Sequence, residues 1–280
     1  MFVLALLLVV VLWEGYKLVG PEQGAKVFGA RLLPRASDAD MPHVWTMLQR
    51  LGRPEVRGNP RRVVSAVVSG AWFSFRIALV GLALGMAVGL VLAVLMARLR
   101  IVERGLLPYV ILSQTVPLIA LSPLVASWGG RVHIGGFTWQ RWMSAAVIGS
   151  FLAFFPVAVG ALRGLKSPGG ADLELMSSYA ASWRQTLFKL RFPAAVPYLV
   201  PALKLAASAS VVGVIVAEIS TGLRGGIGRL IITYAQEATG DPAKVYTALL
   251  GAAAVGLVMA ALIALVDLTL QRNRQVEAAS

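Results

Sequence analysis

Four ionisable side chains, Arg76, Lys204, Glu218 and Asp267, stand inside or at the edges of long apolar runs. A charge at bilayer depth is costly, so such groups are functional candidates by default. Lys204 and Asp267 fall within a few residues of expected helix ends, and Lys204 reads as snorkelling to the headgroups. Arg76 stands where the second apolar helix is expected to start. Glu218 precedes a glycine-rich turn and has two open readings. It lines or gates a translocation path, or it pairs with an arginine such as Arg224. Gln114 and Thr115, followed by Pro117, are polar positions in a long apolar run, where a pathway-facing role fits.

Other chemistries lack their residues. The chain has no cysteine, which excludes disulfides, thiolate metal sites and cysteine nucleophiles. Its two histidines, His43 and His133, are far apart and have no carboxylate cluster beside them in sequence, so a metal site or histidine-based hydrolase is not expected. The run 160–167 superficially resembles a phosphate loop, but it lacks glycine immediately before Lys166 and no strand precedes it. The glycines of 222–228 follow a membrane helix, which does not suit a dinucleotide fingerprint. No nucleophile–base constellation is visible, so an intramembrane enzyme is disfavoured. Proton coupling would call for carboxylates in the bundle core, and only Glu218 and Asp267 are available. No cofactor is expected on this chain.

The elements that must position these residues are membrane helices. Apolar residues make up 58% of the 280 and charged ones 14%, against about 25% charged in soluble domains. Spanning the hydrocarbon takes roughly 20 apolar residues. Windows 77–97, 105–130, 142–162, 193–217 and 245–266 meet that length, the fourth interrupted by Lys204. The first apolar run needs residues up to about Gly20 to cross. It lacks a basic region before it and a small-x-small cleavage site after it, so it reads as a helix and not a signal peptide. Alternating barrel strands are absent. The expected class is therefore all-α, a polytopic membrane protein with about six transmembrane helices. The net charge of +13 then reflects anionic headgroups and an acidic partner surface, not nucleic acid. Loop charges do not separate the two sides of the membrane.

Residues 21–62 form a soluble stretch with five prolines, in which Val44, Leu48 and Leu51 could make one side of a short surface helix. Gly81, Gly85 and Gly89, spaced by four, allow close helix approach, and Ala252, Gly256, Ala260 and Ala264 repeat the device. Packing within one subunit and a subunit seam are both open. Prolines at 108, 117, 123, 156, 193, 197 and 201 free carbonyls and bend helices, which suits a bundle around a path. No inverted repeat is visible, which weakens a secondary-transporter reading.

Between two apolar segments lies RGLKSPGGADLELMSSYAASWRQTLFKLRFP, residues 163–193. Ser167-Pro168 predicts a helix start, with Asp172 and Glu174 in its early turns. Leu173, Met176, Ala180, Trp183, Leu187 and Leu190 form an apolar stripe. Ala180-Ala181-Ser182 reads as an elbow between two short helices. A bland alternative is an amphipathic helix resting on headgroups.

The order Glu174, Ala180-Ala181-Ser182-Trp183-Arg184, Leu187-Phe188, then Phe192-Pro193 resembles the EAA loop of ABC importer permeases. Ser74-Phe75-Arg76, Gln114-Thr115-Val116-Pro117, Leu121-Ser122-Pro123-Leu124 and Ala217-Glu218 with Gly225-Gly226-Ile227-Gly228 extend the resemblance over nearly the whole chain. It is nearest the nitrate/sulfonate/taurine branch, which includes thiamine-precursor and riboflavin permeases. Leu175-Met176 replaces the family's two alanines, Ala180 its glycine, and Phe192 its leucine. An alanine elbow would be stiffer, lacking glycine's freedom at positive φ.

The resemblance implies a type I ABC importer-like permease fold in the bacterial inner membrane. It divides the chain into a first helix (1–20), an extracytoplasmic segment (21–62) and a core (63–280) with a cytoplasmic coupling loop at 163–193. It implies that Glu174, Ala180, Ser182, Trp183, Arg184, Phe188 and Pro193 meet an ATPase dimer, which holds ATP and Mg, while this non-catalytic chain binds neither. Gln114, Thr115, Pro117 and Glu218 become candidates for the path. A second permease copy or paralogue and an extracytoplasmic binding protein are implied partners. The cargo is a sulfonate-, nitrate- or taurine-like anion, or a pyrimidine, thiamine-precursor or riboflavin-like heterocycle. The alternative is an ion-gradient-driven secondary transporter without an ATPase.

Overall fold

The computed structural model describes residues 2–24, 26–27, 30–31, 33–56, 58 and 60–279. Its elements are almost all helical: α1 Phe2–Val19, α2 Val44–Leu51, α3 Val63–Arg98, α4 Arg100–Leu112, α5 Leu118–Gly129, α6 Arg141–Leu165, α7 Gly170–Ser178, α8 Trp183–Thr186, α9 Phe192–Thr221, α10 Ile227–Gln236 and α11 Pro242–Ala279. Two small antiparallel hairpins complete it, β1 Lys26–Val27 with β2 Ala30–Arg31, and β3 His133–Ile134 with β4 Phe137–Thr138. Among the described residues four helices are long and apolar enough to cross a membrane, or five if the bent pair of α4 and α5 is one span. Helix α1, where sequence places the first span, is apolar but is not among these.

Residues group into two compact units, one of Met1–Ala71 and Gly225–Ala253, the other of Trp72–Arg224 and Ala254–Ser280. In the first, the chain leaving α1 is tied back to that helix. The Trp13 indole donates to the Pro42 carbonyl (3.1 Å), and the Lys17 ammonium donates to Ala36 O and to Asp38. That hydrogen bond, with the ammonium charge, holds the Asp38 carboxyl below its usual range. Glu14 accepts from the Val44 amide at 2.7 Å, satisfying an unpaired donor at the start of α2, and lies 2.7 Å from His43 Nδ1. Helix α2 was expected to present Val44, Leu48 and Leu51 as one side. Instead Met47 is buried and Leu48 is exposed, because the inward stripe runs Val44, Met47, Leu51 at three- and four-residue steps. Arg50 pairs with Asp241, and the Tyr234 hydroxyl donates to Glu55 at 2.9 Å. Burial, then that carboxylate, push the Tyr234 phenol well above its ordinary value.

In the second unit, α6 and α9 form the centre. A methyl group built on Gly149 would meet Val214 Cγ2 at 2.9 Å, and one on Gly164 would meet Ala195 Cα at 2.7 Å. Small residues thus bring the two backbones together where dispersion, not water exclusion, must hold helices. The α3 stripe belongs to the same packing. Added methyls at Gly81, Gly85 and Gly89 would strike Ser210, Ala153 and Phe154 O at 2.8, 2.7 and 2.7 Å. Of the two readings of that stripe, close packing within one subunit is the one the structure shows.

Two expectations are corrected. Window 105–130 is not one long helix. It is α4, a 3-10 turn at Ser113–Thr115, and α5, with a bend of 102°. Pro117 forces it: the residue before a proline is driven from helical geometry, and Val116 is extended at ψ 124°. Arg76 also does not start its helix, since α3 begins at Val63. At 36 residues α3 is about 54 Å long, more than a hydrocarbon core of about 30 Å. Arg76 and Arg98 instead bracket its longest uncharged run, 77–97.

Candidate coupling loop and pathway residues

Helix α6 ends at Lys166, whose ammonium reaches both Glu103 oxygens at 2.6 and 2.7 Å. The expected helix start at Ser167-Pro168 is corrected. The Ser167 hydroxyl turns back to the Gly164 carbonyl (2.8 Å), and α7 starts at Gly170 with Asp172 accepting from the Gly169 amide. The proline therefore sits in the linker.

Helix α7 ends in a Schellman arrangement. The Ala180 amide donates to Ser177 O (2.8 Å) and the Ala181 amide to Met176 O (3.0 Å). This closure needs a left-handed residue, and Ala180 supplies it at φ 50°, the only non-glycine with positive φ among the described residues. Ser182 then caps α8, accepting from the Gln185 amide while Gln185 Oε1 accepts from the Ser182 amide. The elbow expected at Ala180-Ala181-Ser182 is present. Substitution tests its cost. Ala180→Gly should be tolerated, since it relieves a strain of about 1 kcal/mol. Ala180→Val, β-branched at positive φ, should loosen the turn. Limited proteolysis of membrane-embedded protein reads this as faster cleavage between α7 and α8 in the valine variant alone.

Beyond α8, Leu187–Arg191 is a π-turn, with the Phe192 amide donating to Leu187 O. Such insertions are frequent at functional sites. The turn is fixed by Leu187, buried with Met96, Ala161, Leu165 and Ala195, and by the Arg191 guanidinium, which donates to Leu165 O at 2.9 Å. Trp183 packs on that cluster, with the Arg98 guanidinium 4.9 Å above its ring. The expected apolar stripe is thus divided. Leu187 and Trp183 anchor the loop's root, Leu173 and Met176 are half-buried, and Ala180 is exposed at the elbow.

The outer surface differs. Helix α7 buries no residue. Leu175, Tyr179 and Phe188 are 55%, 77% and 66% exposed. Glu174, Ser182, Arg184 and Pro193 are exposed beside them. The loop therefore has a root locked to the bundle and an apolar face with a few charges and nothing among the described residues covering it.

The pathway candidates do not come together as one cluster. Gln114, Thr115 and Pro117 are exposed at the break between α4 and α5, with the Thr115 hydroxyl returned to Leu112 O. Glu218 is fully buried, and the Ser74 hydroxyl lies 2.7 and 2.9 Å from its two oxygens. It sits in the packing of α3 against α9, not on an open face. Lys204, read from sequence as snorkelling, also pairs with Asp267 at 2.8 Å. Sequence patterns missed these pairs because partners 144 and 63 positions apart leave no local signal.

A bundle of long apolar helices with a capped polar loop between two of them defines a multi-pass membrane protein. Residues 81–275 match the family described as binding-protein-dependent transport system inner membrane component, and the chain belongs to that family. It has the type I ABC permease fold and is the permease subunit of an ABC importer in the inner membrane. It is 31% identical to the formylaminopyrimidine transport permease protein ThiX of Halalkalibacterium halodurans, over 62% of this chain and 70% of that one. It is 26% identical to a putative aliphatic sulfonates transport permease protein, SsuC, of Bacillus subtilis, over 68% and 69%. It is 27% identical to the riboflavin transport system permease protein RibX of Chloroflexus aurantiacus, over 48% and 47%. Family membership leaves the ion-gradient alternative without support.

Proposed function

We propose that the loop at 163–193 is the seat of a cytoplasmic ATPase dimer, and that two permease subunits, each of this kind, enclose the path of a small organic solute. The observation that carries this is the exposed face of Leu175, Tyr179 and Phe188 on short helices rigidly rooted through Leu187 and Trp183. A soluble partner covering that face would move the loop as a body. The π-turn would pass the motion into α9, giving a rigid-body switch between two accessible states. ATP and Mg stay on the ATPase. Segment 21–62 faces outward, where a binding protein delivers the cargo. Relatives named for formylaminopyrimidine, riboflavin and aliphatic sulfonates support a flat heterocycle or a small organic anion.

The test is copurification. Tagged full-length chain extracted in mild detergent should bring down a soluble ATPase, and L175S/Y179S should lose it while still inserting. Undiminished ATPase in that variant would overturn the docking assignment.

A further inference from the structure

The start of α4 forms a groove of about 690 Å³ lined by Arg100, Glu103, Arg104, Leu107, Pro108, Ile111, Leu112 and Lys166. Its polarity runs along the helix axis. Arg100 and Arg104, one helical step of four apart, stand at one end, and Leu107, Pro108, Ile111 and Leu112 continue the same face. Lys166 is neutralised by Glu103, and neither arginine has an ion pair among the described residues. The groove therefore carries two uncompensated cations at its head and an apolar track of about 8 Å beyond them.

From this we infer a binding site for one anionic phospholipid, its phosphate on Arg100 and Arg104 and an acyl chain along Leu107 to Leu112. A free phosphate would leave the apolar track open. A zwitterionic lipid would put its own cation beside the arginines. Position agrees: Arg98, which closes the longest uncharged run of α3, precedes α4 by two residues, so the groove's head lies at the headgroup level. Basic pockets of this kind beside membrane helices bind anionic headgroups. The inference depends on the chain spanning a membrane, not on the ATPase docking at the loop.

The experiment counts lipids retained by full-length protein in detergent, using native mass spectrometry after exposure to equal phosphatidylglycerol and phosphatidylcholine. Wild type should prefer the anionic lipid by about tenfold or more. R100Q/R104Q should bring the ratio near one, and R100K/R104K should largely keep it. R131Q/R141Q, which removes two exposed cations elsewhere in the chain, should leave it unchanged. L107N/I111N should also lower retention. An unchanged ratio in R100Q/R104Q overturns the site, as does an equal fall in R131Q/R141Q. Displacement of the lipid by millimolar inorganic phosphate overturns the lipid assignment. So does loss of a copurifying protein from R100Q/R104Q with no change in lipid.

Discussion

Uptake should fall by at least about tenfold when Glu174 and Arg184 are both replaced by alanine, with the permease still inserted and folded. Both side chains are exposed, and among the described residues neither makes a side-chain hydrogen bond or ion pair. Surface changes of this kind move stability by roughly 0.5 kcal/mol or less. Any large effect must then come from what covers them. Glu174 lies on α7 beside Leu175, and Arg184 follows the Ser182 cap, so the two charges flank the exposed apolar face. Losing about 1.4 kcal/mol of docking energy reduces coupling tenfold, and two desolvated charges readily exceed that. Membrane vesicles carrying the importer provide the readout: solute accumulation per ATP hydrolysed, beside the amount of inserted permease. Full accumulation in the double variant would remove the loop from the transport cycle.

Gly85→Leu should prevent accumulation of folded permease, whereas Gly256→Ala should be neutral. Even a methyl on Gly85 would stand 2.7 Å from Ala153 Cβ, 2.9 Å from Ser150 O and 3.0 Å from the Phe154 amide nitrogen. Two of these neighbours are backbone atoms of α6 and cannot rotate away. Overpacking costs about 1–3 kcal/mol in yielding cores. Here α3 must separate from α6, and packing is the main force between helices in lipid. By contrast, a methyl on Gly256 meets nothing within 4 Å among the described residues. Detergent-solubilised yield and thermal unfolding of the two variants, run side by side, check the contrast. A stable Gly85→Leu protein would mean that α3 does not pack as described.

These cases mark what could be read beforehand. Both small-residue stripes have the same spacing, and nothing in the sequence tells the stripe pressed against α6 from the half-buried one that leaves room at Gly256. That difference is the position of α6, which only the tertiary structure decides. The elbow was legible because capping is local: Ser182 and Gln185 are three residues apart, and Ala180 stands where a helix must close through a left-handed residue. The helix start at Ser167-Pro168 misled because a serine can return its hydroxyl to the preceding helix as readily as cap the next one.

By itself the sequence determined the all-helical membrane class, the loop and the apolar spans other than the one broken at Pro117, beside the motif resemblance that pointed to the family. Each follows from composition or from residues close together in the chain, where burial in lipid and backbone capping impose local rules. Only the tertiary structure decided that Lys204 is paired with Asp267, that Glu218 lies buried against Ser74, and that Leu187 and Trp183 anchor the loop while Leu175, Tyr179 and Phe188 stay exposed. Those outcomes depend on which helices meet, and contact between distant segments leaves no period or spacing to read.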